Sequence, residues 1–211
     1  LELTKAGCEG VLANIPYEND EQYTDYVKAL DATNPGFLMI QDYNLNGEGV
    51  PKEILLKLFD EIESFRCLKI ETALPGPKFT AMLEATDRRM HISGGWSITQ
   101  YIEGLDRGVH GMVPTGMHEI FCKLDKLYRD GHRDKACRLY GRVQPIIAFS
   151  NQDPGISLNF YKRLLWKQGY YATPNVRVKT VPFDKYYQRI ADDMIELFFE
   201  LSKEVKDGIY D

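Results

Sequence analysis

The alternation of short apolar segments with amphipathic segments is the feature that most constrains the fold of this chain. Short apolar runs predict buried strands, and apolar residues at three- and four-residue spacing predict the helices between them. Strands and helices that alternate in this way are typical of a parallel sheet covered by helices. The predicted strands are Gly10 to Ile15, Phe37 to Gln41, Cys67 to Glu71, Met90 to Ser93 and Gly111 to Pro114.

Helical segments separate these strands and then fill the rest of the chain. Asn19 or Asp20 can cap the first helix, and Pro51 can open the second. The next two helices are predicted over Pro77 to Ala85 and Ser97 to Arg107. The remaining predicted helices cover residues 117–149, 157–168 and 183–206. The sequence therefore predicts a run of β/α units followed by a helical extension.

An open doubly wound sheet and a closed barrel both fit this order of elements. A doubly wound nucleotide-binding fold usually has a Gly-rich phosphate turn after its first strand, but Asn14-Ile15-Pro16-Tyr17 has no glycine, and a Walker motif is missing. Gly94-Gly95 before a helix can bind an anion at the helix N-terminus, although a tight turn explains the same pair. The loops therefore give no support to a nucleotide enzyme.

Composition excludes several classes of partner. The chain has 211 residues and a formal net charge of −5, with acidic and basic residues interspersed, so neither nucleic acid nor an anionic membrane is an expected partner. Its apolar stretches are too short to span a bilayer. Residues 1–7 show no signal peptide and resemble the end of a helix, which suggests that upstream sequence is absent. The widely spaced cysteines are expected to be reduced thiols in a cytoplasmic protein: Cys8, Cys67, Cys122 and Cys137.

Lys69 carries the strongest chemical signal. It places an amine on a strand expected to be buried, where an unpaired charge is costly and a lowered pKa is the usual response. A lysine that is deprotonated near neutral pH is what Schiff-base chemistry with a keto acid requires. The alternative is an ion pair with Glu71, which strand alternation puts on the same face. This segment alone leaves both interpretations open, because buried ion pairs also perturb lysines.

Taken in order, these segments resemble the second half of the dihydrodipicolinate synthase and N-acetylneuraminate lyase family of class I aldolase-type enzymes. The resemblance rests on Gly10-Val11-Leu12 running into Pro16-Tyr17, on the strand with Lys69, on Ile92-Ser93-Gly94-Gly95, and on Gly108 to Val113. It continues through Asn151 to Gly169, which look like the last helical hairpin of that family.

The resemblance implies an α/β fold, a (β/α)8 TIM barrel with its lysine on the sixth strand. This chain would then hold strands four to eight as a partial barrel over residues 1–130, with a C-terminal helical extension over residues 131–211. The first three strands, with the loop that holds the keto-acid carboxylate, would lie outside the sequence. Five strands cannot close an eight-stranded barrel, so we expect the sequence to be incomplete.

The implied activity is that of a Schiff-base lyase. Lys69 would attack the ketone of a pyruvate-like 2-keto acid, and aldol cleavage, condensation or dehydration would follow, so that a carbon–carbon or a carbon–oxygen bond breaks. The expected partner is a small-molecule keto acid, and the family suggests a homo-oligomer, a dimer or homotetramer. No cofactor is implied and no metal is expected, because the four histidines show no ligand spacing.

The sequence also departs from the best-known members of the family. A tyrosine near the end of their fifth strand relays protons, whereas the most natural alignment puts Gln41 there. Tyr43 lies two residues on, on the same face, and either supplies the phenol or packs on the barrel rim. Glu18 follows Pro16-Tyr17 in place of a second tyrosine, and the loop Asn44 to Gly49 lacks the arginine of dihydrodipicolinate synthases.

These departures argue against a true dihydrodipicolinate synthase. They also favour an alternative, a non-catalytic family member that serves as a small-molecule-binding or assembly subunit. The candidate residues nevertheless fall at or near the carboxyl ends of successive strands, which is the catalytic face of such barrels. Lys69 and Tyr43 are the predicted catalytic residues. The predicted substrate-binding residues are Tyr17, Gln41, Glu71, Gly94 and Met112.

Overall fold

The structure is a computed structural model that describes residues 2–211, except for the side chains of Thr4 and Ser97. The chain divides into two compact units, Leu1–Val113 and Pro114–Asp211. The first unit contains a sheet with its helices, and the described residues of the second unit are helical or irregular. The predicted boundary at residue 130, between a partial barrel and a helical extension, stays a prediction.

The sheet of the first unit is parallel throughout, as the alternation of elements predicted. Each strand lies beside the strand that precedes it in the chain, in the order β1-β2-β3-β4-β5. A doubly wound sheet reverses its strand order at one point, so these strands do not form one. A sequential order is instead the arrangement found in β/α barrels. The strands are β1 Gly10–Asn14, β2 Phe37–Asn44, β3 Phe65–Thr72, β4 His91–Gly94 and β5 Gly111–Met112.

The two sides of this sheet differ in burial. Leu38 and Ile40 of β2, with Leu68 and Ile70 of β3, are fully buried against the helices. The alternate residues of both strands point to the other side, because successive side chains in a strand face opposite ways. We call that other side the site face; on β2 and β3 it carries Met39, Gln41, Tyr43, Cys67, Lys69 and Glu71.

Four longer α-helices alternate with the strands of the first unit, and a short helix α1 at Glu2–Lys5 precedes them. Asn19, one of the two caps that the sequence offered, caps α2, because its side-chain oxygen accepts a hydrogen bond from the Gln22 amide at 3.0 Å. The helix predicted from Ser97 instead opens as a 3₁₀-helix at Trp96–Gln100. The Trp96 amide, which as a first helical N–H has no acceptor within its own helix, donates to the Glu71 carboxylate on β3. The later helices are α2 Asp20–Asp31, α3 Lys52–Glu61, α4 Pro75–Ala85 and α5 Tyr101–Arg107.

The second unit corrects one sequence-based prediction. The segment predicted as one helix over residues 117–149 is two helices, and the chain turns between them at Gly131, whose φ of 84° is left-handed. Glycine adopts this conformation without the steric cost that other residues meet. The four helices enclose an apolar core that includes Leu124, Ile146, Phe160 and Phe198. They are α6 His118–Arg129, α7 Arg133–Ser150, α8 Pro154–Lys167 and α9 Lys185–Lys206.

An ion-pair network ties α8 to α9. The guanidinium of Arg163 donates to both oxygens of Asp192, at 2.8 and 2.7 Å, and Lys167 Nζ lies 2.8 Å from Asp192 Oδ1. These contacts, with the Arg163 hydrogen bond as the largest cause, lower the pKa of Asp192 to about 2 from an ordinary 3.8. The ionised carboxylate therefore stabilises the folded state.

This network predicts a pH-dependent contribution to stability. Because the pKa of Asp192 is lower in the folded than in the unfolded state, its contribution is complete above pH 5 or so and is lost as the pH falls toward about 2. Asp192→Asn should cost about 1 kcal/mol at pH 7, a figure reduced for partial exposure, and less at pH 3. Urea unfolding of the full-length protein measures both values. Asp193→Asn, an exposed neighbour, is the control, and a cost for Asp192→Asn that is equal at both pH values would contradict the assignment.

Candidate active site

Lys69 lies on the site face near the carboxyl end of β3. Its side chain is 14% exposed, so the amine is nearly buried but can be reached from the site face. Among the described residues its one ionic partner is Glu71, whose Oε1 is 3.5 Å from Lys69 Nζ. That separation is longer than a strong charge-assisted hydrogen bond. The position of Lys69 is compatible with both sequence-based interpretations, a Schiff-base nucleophile and an ion-pair partner of Glu71, because the residue is nearly buried and also lies beside Glu71.

Glu71 is buried and is held from two neighbouring elements. Its Oε1 accepts a hydrogen bond from the Trp96 amide at 2.6 Å, at the start of the 3₁₀-helix. Its Oε2 accepts a short hydrogen bond from Gln41 Nε2 on β2. Gln41 is the register partner of Lys69, which explains why its amide reaches the neighbouring carboxylate. The carboxylate is consequently fixed in orientation beside the amine.

Gly95 lies directly against the Lys69 and Glu71 side chains, and no larger residue fits at this position. A Cβ at this position would lie 2.0 Å from Glu71 Oε1 and 2.4 Å from Lys69 Cε. Ser93 adds a hydroxyl to the same region, as it is the register partner of Lys69 on β4. This hydroxyl is buried and has no hydrogen-bond partner among the described residues, so it is available to a ligand.

A second nearly buried lysine in the same unit is held very differently. Lys78 on α4 is 12% exposed, and its Nζ lies 2.5 Å from Asp42 Oδ2. It also donates to the backbone oxygens of Glu48 at 2.8 Å and Val50 at 2.5 Å. Burial raises the pKa of Asp42, and Lys78 offsets part of this shift. All three donors of the Lys78 ammonium therefore have acceptors, and the residue anchors the loop after β2.

Breaking the Lys78–Asp42 pair is expected to be costly. Lys78→Met would leave the Asp42 carboxylate buried without its cation, and such changes cost about 3–5 kcal/mol. Urea unfolding of the full-length protein measures the loss. Lys52→Met is the matched control, because Lys52 is exposed and lies 3.9 Å from the exposed Glu53. This substitution should lower the free energy of unfolding by less than about 1 kcal/mol. Equal losses for the two variants would show that Lys78 is not a structural anchor.

Comparison with solved structures places this sheet and these helices in a known fold. A dihydrodipicolinate synthase from Rhodopseudomonas palustris matches 92% of this chain and 67% of its own, at 22% identity and a TM-score of 0.81. A sialic acid aldolase from Ruminococcus gnavus matches 96% of this chain and 69% of its own, at 16% identity and a TM-score of 0.83. The N-acetylneuraminate lyase from Fusobacterium nucleatum matches 93% and 67%, at 18% identity and a TM-score of 0.74.

The chain has the fold of the dihydrodipicolinate synthase and N-acetylneuraminate lyase structures. It spans about two thirds of the length of these proteins. At the level of fold, this likeness confirms the family resemblance predicted from the sequence. No protein-family model matches the chain, and no curated protein sequence does.

We call Lys69, Glu71 and Gln41 the Lys69 cluster. The remaining predicted site residues differ in how close they lie to it. Tyr43 is the register partner of Glu71, so it lies on the site face, and it is 45% exposed. Gly94 ends β4, and its carbonyl accepts a hydrogen bond from the Val113 amide at 2.8 Å. Both residues are therefore at the carboxyl end of the sheet with Lys69.

The structure does not bring Tyr17 and Met112 into this cluster. The Tyr17 hydroxyl donates to Asp20 Oδ1 at 2.5 Å, and this hydrogen bond raises the pKa of Tyr17. The Met112 methyl group packs against Gly104 of α5, which places it on the helix side of the sheet. Their roles in binding a substrate stay predictions.

Two features of the site lay beyond the sequence reasoning. The Trp96 amide is a backbone group, so no residue type marks its contact with Glu71. The tight space around Gly95 had a weak signal in the Gly94-Gly95 pair, which was interpreted only as a turn or an anion site. The described residues contain no cluster of three or more histidine, cysteine or acidic residues that could hold a metal ion. None of the described helices has the length and apolar character to cross a bilayer.

Proposed function

We propose that the full-length protein is a Schiff-base-forming lyase that acts on a pyruvate-like 2-keto acid, with Lys69 as the nucleophile. The reaction would be aldol cleavage, condensation or dehydration. The observation that carries the proposal is the difference between two lysines of similar burial. Lys78 has an acceptor for each of its three donors, whereas among the described residues Lys69 has one ionic partner, Glu71, at 3.5 Å.

This difference has a chemical consequence. An amine must be neutral and unobstructed to attack a carbonyl carbon, and each close acceptor that it holds opposes this. Lys78 would have to break three contacts of 2.5 to 2.8 Å, while Lys69, within the part of the chain that the structure describes, has to leave one long contact with Glu71. The Lys69 amine is also reachable from the site face. It is thus the better nucleophile of the two.

The fold supports the same proposal. In β/α barrels the chemistry occurs at the carboxyl ends of the strands, and Lys69, Gln41 and Ser93 lie toward those ends of three neighbouring strands. One structure with this fold is a sialic acid aldolase described as a catalytic lysine mutant, at 15% identity and a TM-score of 0.82. We assign β1 to β5 as strands four to eight of a (β/α)8 barrel, in keeping with their sequential order.

The residues around Lys69 argue against a dihydrodipicolinate synthase in the strict sense. The loop Asn44 to Gly49 has no arginine to hold a second carboxylate. Gln41 donates to Glu71 and, as an amide, cannot act as a general acid or base at ordinary pH. We therefore propose the reaction class and the pyruvate-like portion of the substrate, which every reaction of this class shares.

Trapping with borohydride tests the proposal. The full-length protein is incubated with pyruvate and borohydride, and its intact mass is compared with that of samples lacking either reagent. A reduced imine should appear only when both are present, because borohydride converts the protein-bound iminium into a stable secondary amine, whereas its reduction of free pyruvate gives lactate, which is not attached to the protein. A protein that gains no mass under these conditions would rule out Schiff-base chemistry. Trapping without turnover of any aldol substrate would favour the small-molecule-binding alternative.

A further inference from the structure

We propose that Glu71 is the general acid and base of the reaction, the role for which the sequence had suggested Tyr43. This inference rests on the proposed function, since it assigns the proton transfers of the same imine chemistry. From the sequence, Glu71 was predicted as a substrate-binding residue, or as an ion-pair partner of Lys69. Its contacts in the structure give it a different role.

The first argument is proximity to the reacting nitrogen. Glu71 Oε1 lies 3.5 Å from Lys69 Nζ, and Glu71 is the one acidic partner of this lysine among the described residues. A general base must be within hydrogen-bond reach of the proton that it moves, directly or through one water, and such contacts are often long before substrate binds. Glu71 meets this requirement without any rearrangement of the backbone.

The second argument is preorganisation. The Trp96 amide fixes Oε1 at 2.6 Å, and Gln41 Nε2 fixes Oε2, so the carboxylate plane is set by groups on two other elements. The side chain is also buried, which keeps competing water away from it. A group held in this way needs little reorganisation during the reaction, which is the main source of electrostatic catalysis.

The third argument concerns the two competing residues. Gln41 occupies the place expected for the relay tyrosine, yet its amide donates to Glu71 and so orients the carboxylate. Gln41 is thereby a positioning residue. Tyr43 lies opposite Glu71 in the register but is 45% exposed.

The proton transfers balance with Glu71 as the only acid and base. A proton moves from the Lys69 ammonium to the Glu71 carboxylate, and the neutral amine attacks C2 of the keto acid, so that the C–N bond forms as the carbonyl π electrons move to oxygen. Glu71 protonates that oxygen and then takes one of the two protons on nitrogen. It returns this proton to the hydroxyl, which leaves as water while the nitrogen lone pair forms the iminium. The carboxylate is regenerated and can next take a proton from C3, giving the enamine.

A purely ionic role for Glu71 predicts a different behaviour. If Glu71 only held Lys69 as an ammonium ion, its removal would free the amine and speed imine formation. If it is the acid and base, its removal slows every step that moves a proton while Lys69 stays in place. The two roles are separated by measuring imine trapping and C3 proton exchange in the same variant.

The test uses the full-length protein, pyruvate as the probe, and two readouts. Borohydride trapping reports the imine, and loss of the pyruvate methyl signal in D₂O, followed by proton NMR, reports enamine formation. Glu71→Gln should reach the parental yield of adduct on long incubation but exchange the methyl protons at least about a hundredfold more slowly. Glu71→Asp should recover part of the rate, and Gln41→Leu should lose about tenfold through misorientation of the carboxylate. Tyr43→Phe should change exchange by less than about threefold.

The outcomes separate this inference from the proposed function. Parental exchange in Glu71→Gln, with its adduct intact, overturns the role of Glu71 and leaves the lyase proposal standing. A loss confined to Tyr43→Phe overturns it as well and assigns the proton to the phenol. Failure of the unmodified protein to form any adduct overturns both proposals. Trapped adduct in Glu71→Gln also shows that this variant has folded around Lys69.

Discussion

Lys69→Arg is expected to abolish borohydride trapping by pyruvate and to reduce any aldol turnover on the order of ten-thousandfold or more. Arginine keeps the positive charge and can still pair with Glu71, but a guanidinium is always protonated and forms no imine. The variant should therefore fold normally and lack the chemistry. Intact mass after trapping and a pyruvate-release assay measure the two effects.

Lys52→Arg is the control for that substitution, because Lys52 is an exposed lysine of the same unit at the start of α3. It should keep both the adduct and the turnover of the parent protein. An undiminished adduct in Lys69→Arg would mean that another lysine forms the imine. Equal unfolding free energies for the two variants would confirm that a loss at Lys69 is chemical.

Gly95→Ala is expected to have the second largest effect. The added Cβ would lie 2.0 Å from Glu71 Oε1 and 2.4 Å from Lys69 Cε, so both functional groups must move away from their present positions. Displacement by about 1 Å can cost a hundredfold in rate, and we expect at least that loss in imine formation. The structural cost should be about 1–3 kcal/mol, as for other overpacked sites. Trapping kinetics and urea unfolding measure the two effects.

Gly111→Ala is the matched control, since a Cβ at Gly111 on β5 meets no atom of the described residues within 4 Å. It should trap pyruvate at close to the parental rate. If Gly95→Ala also traps at the parental rate, the Lys69 and Glu71 side chains have room to move, and the tight cluster is not needed for imine formation.

The sheet and the position of Lys69 on it were predictable because their signals are local. Strand alternation alone places Lys69 and Glu71 on one face, and the structure confirms both their face and the 3.5 Å contact between their charged atoms. The parallel sheet followed from the order of apolar and amphipathic segments. β2 extends to Asn44, so Tyr43 lies within the strand on the face of Gln41, as strand parity predicted, and is paired with Glu71.

The remaining features depend on contacts between residues far apart in the sequence. The Trp96 amide and the Gln41 side chain both reach Glu71, and the sequence separations are 25 and 30 residues. Lys78 gave no signal as an anchor, because a lysine in the first turns of a helix is usually solvated. Met112 was placed by strand order alone. Its register partner is Gly94, which follows the site-facing Ser93, so Met112 points to the opposite side of the sheet and packs on Gly104.

Peptide mapping of the trapped adduct tests the central claim most directly. The full-length protein is incubated with pyruvate and borohydride, digested with trypsin, and sequenced by tandem mass spectrometry. The account predicts the reduced pyruvyl group on the Nζ of Lys69, with Lys78 and the other lysines unmodified. An adduct on a different lysine, with Lys69 unmodified, would contradict it.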